Sequence, residues 1–463
     1  MGGLPKKAFK LDKLQQEISN NVLVDAGALL FAKNTLSSGL ETEQAKITAA
    51  AIVEGYSIIG YEAVGIARQD LAGGISFLKE QANRSTFPWI SANLVDRTTQ
   101  KPIFHPSLII EKNGLKIGIT GLTGLIGKSP IDDDPETNIL PWQQVLPQLL
   151  PTLEKSCDII ILLSNLPHSE NQILSKQFDT IHVIIQSGIT INNLIPILVN
   201  NTLICQSEKQ GKHLGQMEIK WHSTKKWRHE GNPALSQKQN ELDRINWQLK
   251  RIRSKGVPEI LYKNRPKSLL SYHNLENKVA MLKKEIFREQ NKENNLEDQS
   301  SYQNKFIPIK KEYPDQENIA QIIEQAKIDV NAAGKQRRAK KALAGYKGTQ
   351  TCKSCHIEQY DNWQATPHAK AYETLVAKSQ QFNVDCLPCH VTGIDIDKGH
   401  LALSLPQDLL KVGCENCHGP GQDHAATPEQ SNLLTPSSTV CLKCHTDDHD
   451  DDFDYKRDRQ LVH

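Results

Sequence analysis

The chain has 463 residues, with 55 basic against 53 acidic side chains and a formal net charge of +2. That length suffices for two or three domains, and balanced charge without a long basic block argues against a nucleic-acid partner. No segment is long and apolar enough to serve as a transmembrane helix.

The opening residues, Met1 to Lys10, hold no apolar signal core. Residues 1–226 then alternate strand-like and helix-like stretches, the pattern of a layered α/β domain. Val22–Ala26, Cys157–Ser164 and His182–Gln186 predict buried strands, and 41–58 and 144–155 predict helices. Asn113-Gly114, between Leu108-Ile-Ile-Glu111 and Leu115-Lys-Ile-Gly-Ile119, predicts a hairpin turn. Cys157 and Cys205 sit in apolar stretches and are expected to be buried thiols without a function.

Gly2-Gly3-Leu4, the strand ending Val24-Asp25-Ala26-Gly27, Phe87 through Leu94, and Gly114 through Leu122 stand in a telling order. In that order residues 1–226 resemble the metallophosphatase domain of bacterial periplasmic nucleotidases, which implies a layered α/β sandwich. Two-metal phosphoester hydrolysis needs carboxylate, imidazole and amide ligands around both ions. Where that family has Gly-Asp, this chain has Gly27-Ala28; where it has Gly-Asn-His-Asp or Gly-Asn-His-Glu, this chain has Ala67-Arg68-Gln69-Asp70. The histidine expected after the Leu-Ser of a central strand is Asn165, and the Gly-His-x-His signature is Ser187-Gly188-Ile189-Thr190. The expectation is a phosphatase fold without its dinuclear chemistry and without a catalytic residue. His168 and His182 lie near the lost site, and a structural role is expected for both, with a mononuclear metal site as the alternative. Gly2-Gly3-Leu4 matches a point after the family's first strand and first metal motif. The resemblance therefore implies that a signal peptide and that strand belong upstream of Met1.

From 234 to 340 the sequence turns charged, with apolar residues at three- and four-residue steps in 239–252 and 275–287. This pattern predicts two helices joined near Pro258 to Pro266 as an antiparallel hairpin, and a third helix at 316–333 leading out of the linker. Lys335-Gln-Arg-Arg-Ala-Lys-Lys341 is expected to be a solvated face, with docking of an acidic redox partner as the alternative.

The last quarter holds four Cys-x-x-Cys-His pentads: Cys352/Cys355/His356, Cys386/Cys389/His390, Cys414/Cys417/His418 and Cys441/Cys444/His445. Each has the pattern of a c-type haem attachment site. Two thiols at that spacing form thioethers to the two vinyl groups of one haem, and the following imidazole becomes the proximal ligand. A zinc ribbon needs no histidine directly after every second cysteine. Four covalent haems c are expected. The methionines are Met1, Met217 and Met281, so residues 346–463 contain none. His368, His400, His424, His449 and His463 are the spare imidazoles of that region, which points to mostly bis-histidine haems, with one iron able to remain five-coordinate. About thirty residues per haem cannot build an ordinary core, so a haem-centred, mostly helical domain with long loops is expected at 346–463.

Trp363-Gln-Ala-Thr-Pro-His368-Ala-Lys-Ala-Tyr372 after the first pentad, Gly413 through His424 around the third, and the tail from Cys441 through Phe453 to His463 carry a second resemblance. They resemble the tetrahaem cytochrome c-554 family, whose members relay electrons through closely packed haems. The resemblance implies His368, His424 and His463 as distal ligands. For His424 the residues agree, because Gly419-Pro420-Gly421 forces a turn straight after a proximal ligand. His400 and His449 are expected at the surface.

The expected whole is an α/β metallophosphatase-like sandwich, a helical hairpin linker and a multihaem cytochrome c domain. Its expected role is electron transfer outside the cytoplasm, in the periplasm or at the cell surface, with donor and acceptor proteins as partners. A haem reductase at an open iron and a residual phosphohydrolase are the alternatives. A homo-oligomer or filament is compatible with the sequence.

Overall fold

Ile159-Ile-Ile-Leu-Leu-Ser164 has no polar break before its end, and all six residues are buried at the centre of the main sheet. In the computed structural model, described for residues 3–37, 39–188, 193–228, 238, 241–242, 244–246, 248–249, 252–253, 256–263, 266–292, 299–336, 344–394, 405–429, 433–446, 449–450 and 453–462, packing divides the chain into two compact units. The first comprises Met1–Thr35 and Ile52–Ala320, the second Leu36–Ala51 and Gln321–His463.

In the first unit, α1 (Gly3–Glu17) precedes β1 (Val24–Asp25), which pairs in parallel with β2 (Ala63–Gly65); β2 pairs with β3 (Trp89–Ile90). The main sheet contains β4 (Ser107–Lys112), β5 (Leu115–Leu122), β6 (Ile159–Ser164), β7 (Val183–Gln186), β8 (Leu194–Val199) and β9 (Thr202–Gln206). Its order is β8-β9-β7-β6-β5-β4, with the four central strands parallel and both edge strands antiparallel. Asn113 and Gly114 both have positive φ, 51° and 74°, as the two-residue turn joining β4 to β5 demands.

Alternation along β6 sends its side chains into two cores. Ile160 and Leu162 pack with Leu146, Leu150 and Leu153 of the helix Trp142–Ser156. Ile159, Ile161 and Leu163 pack with Ala63, Ile90 and Trp227 on the other face. A parallel strand covered on both sides is nearly continuous in apolar residues for this reason. The sequence reading of Val22–Ala26 as a strand is too long, since only Val24–Asp25 pair.

Of the two linker helices expected as a hairpin, the second runs Pro266–Lys292, and the first is described only at separate residues between 238 and 253. Pro266–Lys292 packs Tyr272, Leu282 and Ile286 against Leu242, Ile245 and Leu249, with Lys238 paired to Glu285 and Lys278 to Glu241. The 234–340 stretch is not helical throughout, however. Ser301–Pro308 forms a strand that pairs over eight residues with His213–Lys220, a long-range ribbon interrupting the helical pattern. The third helix runs Glu317–Gln336 and takes in the first two residues of the basic run, Lys335 and Gln336. The rest of that run, 337–341, lies outside the described residues.

In the second unit, described residues from 346 onward form short helices and turns, the longest being Ile357–Gln364. A small apolar cluster gathers Leu375, Leu387, Val391 and Ile394. Residues 36–51, which the sequence reading kept with the α/β domain, pack in this unit. Gln44 is buried there: its Nε2 donates to the carbonyl oxygens of Val330 and Phe382, both at 2.8 Å, and its Oε1 accepts from the Val384 N–H at 3.0 Å.

Candidate functional site

The positions matched to the phosphatase motifs do converge, and they are bonded to one another. Arg68, only 4% exposed, donates from its backbone N–H to Asn165 Oδ1 at 2.8 Å and from its guanidinium to the Gly127 carbonyl and the Asp132 carboxylate. Asn165 Nδ2 donates to Ser187 Oγ at 3.3 Å, and Ser187 Oγ donates to the Ala26 carbonyl at 2.8 Å. Asp70 accepts four backbone N–H groups, from Ala28, Leu29, Leu30 and Ala67. Burial pushes its carboxyl up to about 6, against the downward pull of those four donors. Among the described residues no group of three His, Cys, Asp or Glu side chains is arranged to hold a metal ion. Ile189 and Thr190 lie outside the described residues.

His168 and His182 have structural partners. His168 Nδ1 is 3.1 Å from Gln186 Oε1, and its Nε2 is 3.1 Å from Gln172 Nε2. His182 Nδ1 accepts the Ile160 N–H at 3.0 Å, and its ring meets Trp221 edge-on. Burial lowers the His182 pKa to about 4. The unfolded imidazole binds its proton near pH 6.5 and the folded one only near 4, so stability is present above that window and is lost as pH falls through it. We expect this imidazole alone to remove about 3 kcal/mol between pH 7 and pH 4. Urea titrations of wild type and His182→Gln across that range check it, and parallel pH profiles would refute the assignment.

In the second unit the pentads wind as single helical turns. The His356 N–H donates to the Cys352 carbonyl at 3.0 Å, and the His445 N–H to the Cys441 carbonyl at 2.9 Å; Cys414–His418 is one short helix. A helical turn brings residues three and four apart onto one side, where two thiols and an imidazole can meet one ligand. None of the ten cysteines is in a disulfide.

The thiols meet across pentads. Cys352 neighbours Cys414 and Cys389 neighbours Cys444; each neighbour brings Cys414 and Cys389 down to about 7 and pushes its partner up. Burial pushes Cys417 up to about 11, with the neighbouring Cys441 adding to the rise.

Cys355 differs from the other pentad thiols in exposure. It is exposed, whereas the other seven pentad cysteines are half-buried. The reason is its place in the chain: it follows the helical turn Thr349–Lys353 on the solvent side, and its Sγ lies 3.7 Å from the hydroxyl of the adjacent Ser354, itself exposed.

The imidazoles give the sharper test of fit. The rings of His356 and His424 have centroids 6.2 Å apart, and those of His368 and His445 are 5.9 Å apart, with interplanar angles of 24° and 75°. Two metal–imidazole bonds of about 2.0 Å, plus about 1.1 Å from each nitrogen to its ring centre, place two axial rings about 6.2 Å apart. Both pairs have about that centroid separation. Nδ1 of His390 lies 2.8 Å from the Ala371 carbonyl oxygen and Nδ1 of His418 lies 3.0 Å from that of Leu434, which leaves Nε2 for a metal. Burial and the nearby His445 both lower the His368 pKa, which favours the neutral, ligating form.

Side chains that sequence reasoning did not single out hold these groups in place. Glu415, buried inside the third pentad, accepts N–H groups of Lys347, Gly348 and Gly421 at 2.7–2.9 Å, fixing the turn that returns the chain to His424. Trp363 Nε1 donates to the Val412 carbonyl, and the Val412 N–H to the His368 carbonyl. Only the unusual acid within a Cys-x-x-Cys turn offered a signal. His449 is exposed and bonds Thr446 Oγ1; His400 and His463 lie outside the described residues.

The chain thus holds a mixed α/β unit, with its phosphatase-motif positions tied to one another, and a helical unit built of Cys-x-x-Cys-His turns. Residues 351–419 match the family described as cytochrome c554 and c-prime. The C-terminal region is similar to cytochrome c-554 of Nitrosomonas europaea, 35% identical over 125 residues, covering 22% of this chain and 53% of that one. The N-terminal region is similar to protein UshA of Yersinia enterocolitica, 30% identical over 175 residues, covering 36% of this chain and 31% of that one. The chain therefore spans about half the length of the first relative and a third of the second. Among solved structures, the calcineurin-like phosphoesterase YfkN from Bacillus subtilis aligns over 71% of this chain and 89% of its own, at 13% identity and a TM-score of 0.44.

Proposed function

We propose that this protein is an extracytoplasmic multihaem cytochrome that passes electrons between redox partner proteins through four covalent haems c. The eight pentad cysteines hold them, and His356, His390, His418 and His445 are the proximal ligands. Cys355 belongs to this set despite its exposure, because a thioether forms at the rim of a haem, where a vinyl group can reach a thiol on the open side of the turn. His424 serves the first pentad's haem and His368 the fourth's, while His463 is assigned as a distal ligand by resemblance alone. The observation that carries this reading is the pair of imidazole couples at the spacing of one iron. Haem supplies one-electron exchange between ferric and ferrous iron. The chain's own part is to fix the imidazoles, keep the attachment turns close together and bury the distal side at His368.

The α/β unit is assigned a docking or assembly role, because Arg68, Asn165 and Ser187 leave no dinuclear ligand set among the described residues. Among the described residues no helix is long and apolar enough to cross a membrane. One observation favours a second reading, a haem reductase: among the described residues no other imidazole ring is paired with that of His390. An iron open on that side could take a small oxidised substrate.

Low-temperature electron paramagnetic resonance on the oxidised, haem-loaded protein, with a pyridine haemochrome count, tests both. Four haems with only low-spin signals favour the carrier. A high-spin component equal to one haem in four favours the reductase, and the absence of covalent haem would refute both.

A further inference from the structure

The proximal imidazoles are not held alike. Those of His390 and His418 face backbone carbonyl oxygens. His445 faces a carboxylate instead: its Nδ1 lies 2.7 Å from Asp450 Oδ2. The Asp450 N–H donates to the Thr446 carbonyl at 2.7 Å, closing the turn that returns this side chain to the ring. Phe453 stacks on the same imidazole, with centroids 4.6 Å apart and planes 21° from parallel, and His368 stands 5.9 Å away. The orientation of His445 is therefore set on three sides.

We propose that Asp450 is a positioning residue that lowers the reduction potential of the haem held by Cys441 and Cys444. The inference rests on the haem reading above. A carbonyl oxygen accepts the Nδ1–H as a neutral partner, whereas a carboxylate draws on that proton through a charge-assisted bond. The imidazole then donates more electron density through Nε2, and outer partners of this kind raise ligand basicity. Greater donation favours ferric over ferrous iron, and the negative charge itself acts in the same direction. Among the described residues, His445 is the proximal imidazole whose Nδ1 faces a carboxylate, so the effect falls on one haem and separates its potential from the others. A spread of potentials gives a relay its direction.

The test is a spectroelectrochemical titration of the haem-loaded full chain as wild type, Asp450→Asn and Asp450→Glu. Asparagine keeps an acceptor oxygen and removes the charge; glutamate keeps the charge. In Asp450→Asn one of the four midpoints is expected to rise, so that at a fixed potential the ferric-to-ferrous ratio of that haem falls about tenfold, equivalent to about 59 mV for a one-electron couple. The other three stay in place, the low-spin resonance signals persist, and Asp450→Glu returns most of the shift. Four unmoved midpoints, or a uniform shift of all four, would overturn the assignment while leaving the cytochrome reading intact. A wild-type haem count of zero would remove both.

Discussion

On the proposed reading, His424→Ala is expected to convert one haem in four from low-spin to high-spin, and His368→Ala a second, with the haem count unchanged. Covalent attachment depends on the cysteines, which neither substitution alters. What each removes is the ring standing 6.2 Å from His356 or 5.9 Å from His445. The opened iron should accept added imidazole and return to low spin, which separates loss of a ligand from local unfolding. His449→Ala is the control, since that imidazole is exposed and bonds Thr446. Electron paramagnetic resonance before and after imidazole reads all three. An unchanged spectrum in His424→Ala would remove His424 from the ligand set and weaken the pairing argument for His368.

Local chemistry explains what was legible in the sequence. The unbroken Ile159–Ser164 run announced a strand buried on both faces, Asn113-Gly114 announced its hairpin, and the pentads announced helical attachment turns. The pentad spacing did not reveal that Cys355 would stand exposed, because exposure depends on which side of the turn the rest of the unit covers. Long-range pairings were not legible. Ser301–Pro308 has half-exposed alternation and lies among charged helices, and its partner strand is some eighty positions earlier, so no local pattern reveals the ribbon. The packing of Leu36–Ala51 in the second unit depends on Gln44, an unremarkable polar residue in a helix until its three backbone partners are known. The departures from the nucleotidase motif could be read from letters at Ala28, Arg68 and Asn165. The ion pair between Arg68 and Asp132 could not, because nothing in either residue's neighbourhood names the other. Asp450 was legible only as one acid in an acidic run, and its contact with His445 is a property of the turn.

Asp70→Asn is expected to destabilise the first unit by about 3–5 kcal/mol, the cost of breaking a buried charged network by altering one member. Asp70 is fully buried, and each of its oxygens accepts two backbone N–H groups: Leu29 and Leu30 on Oδ1, Ala28 and Ala67 on Oδ2. An amide has one acceptor oxygen, so whichever way asparagine turns, its NH2 faces two N–H donors. Rotation cannot relieve the clash, because both sides of the carboxylate are used alike. Urea denaturation followed by tryptophan fluorescence reports on this unit, which contains Trp89, Trp142, Trp221 and Trp227. A loss below about 1 kcal/mol, the worth of one ordinary hydrogen bond, would refute the clamp. The same measurement with added divalent metal should give the same loss. By the resemblance Asp70 stands at the acid of the nucleotidase motif, and here it holds the Ala28–Leu30 backbone. Four backbone amides converging on one buried carboxylate give Asp70 a structural role in the fold of this unit.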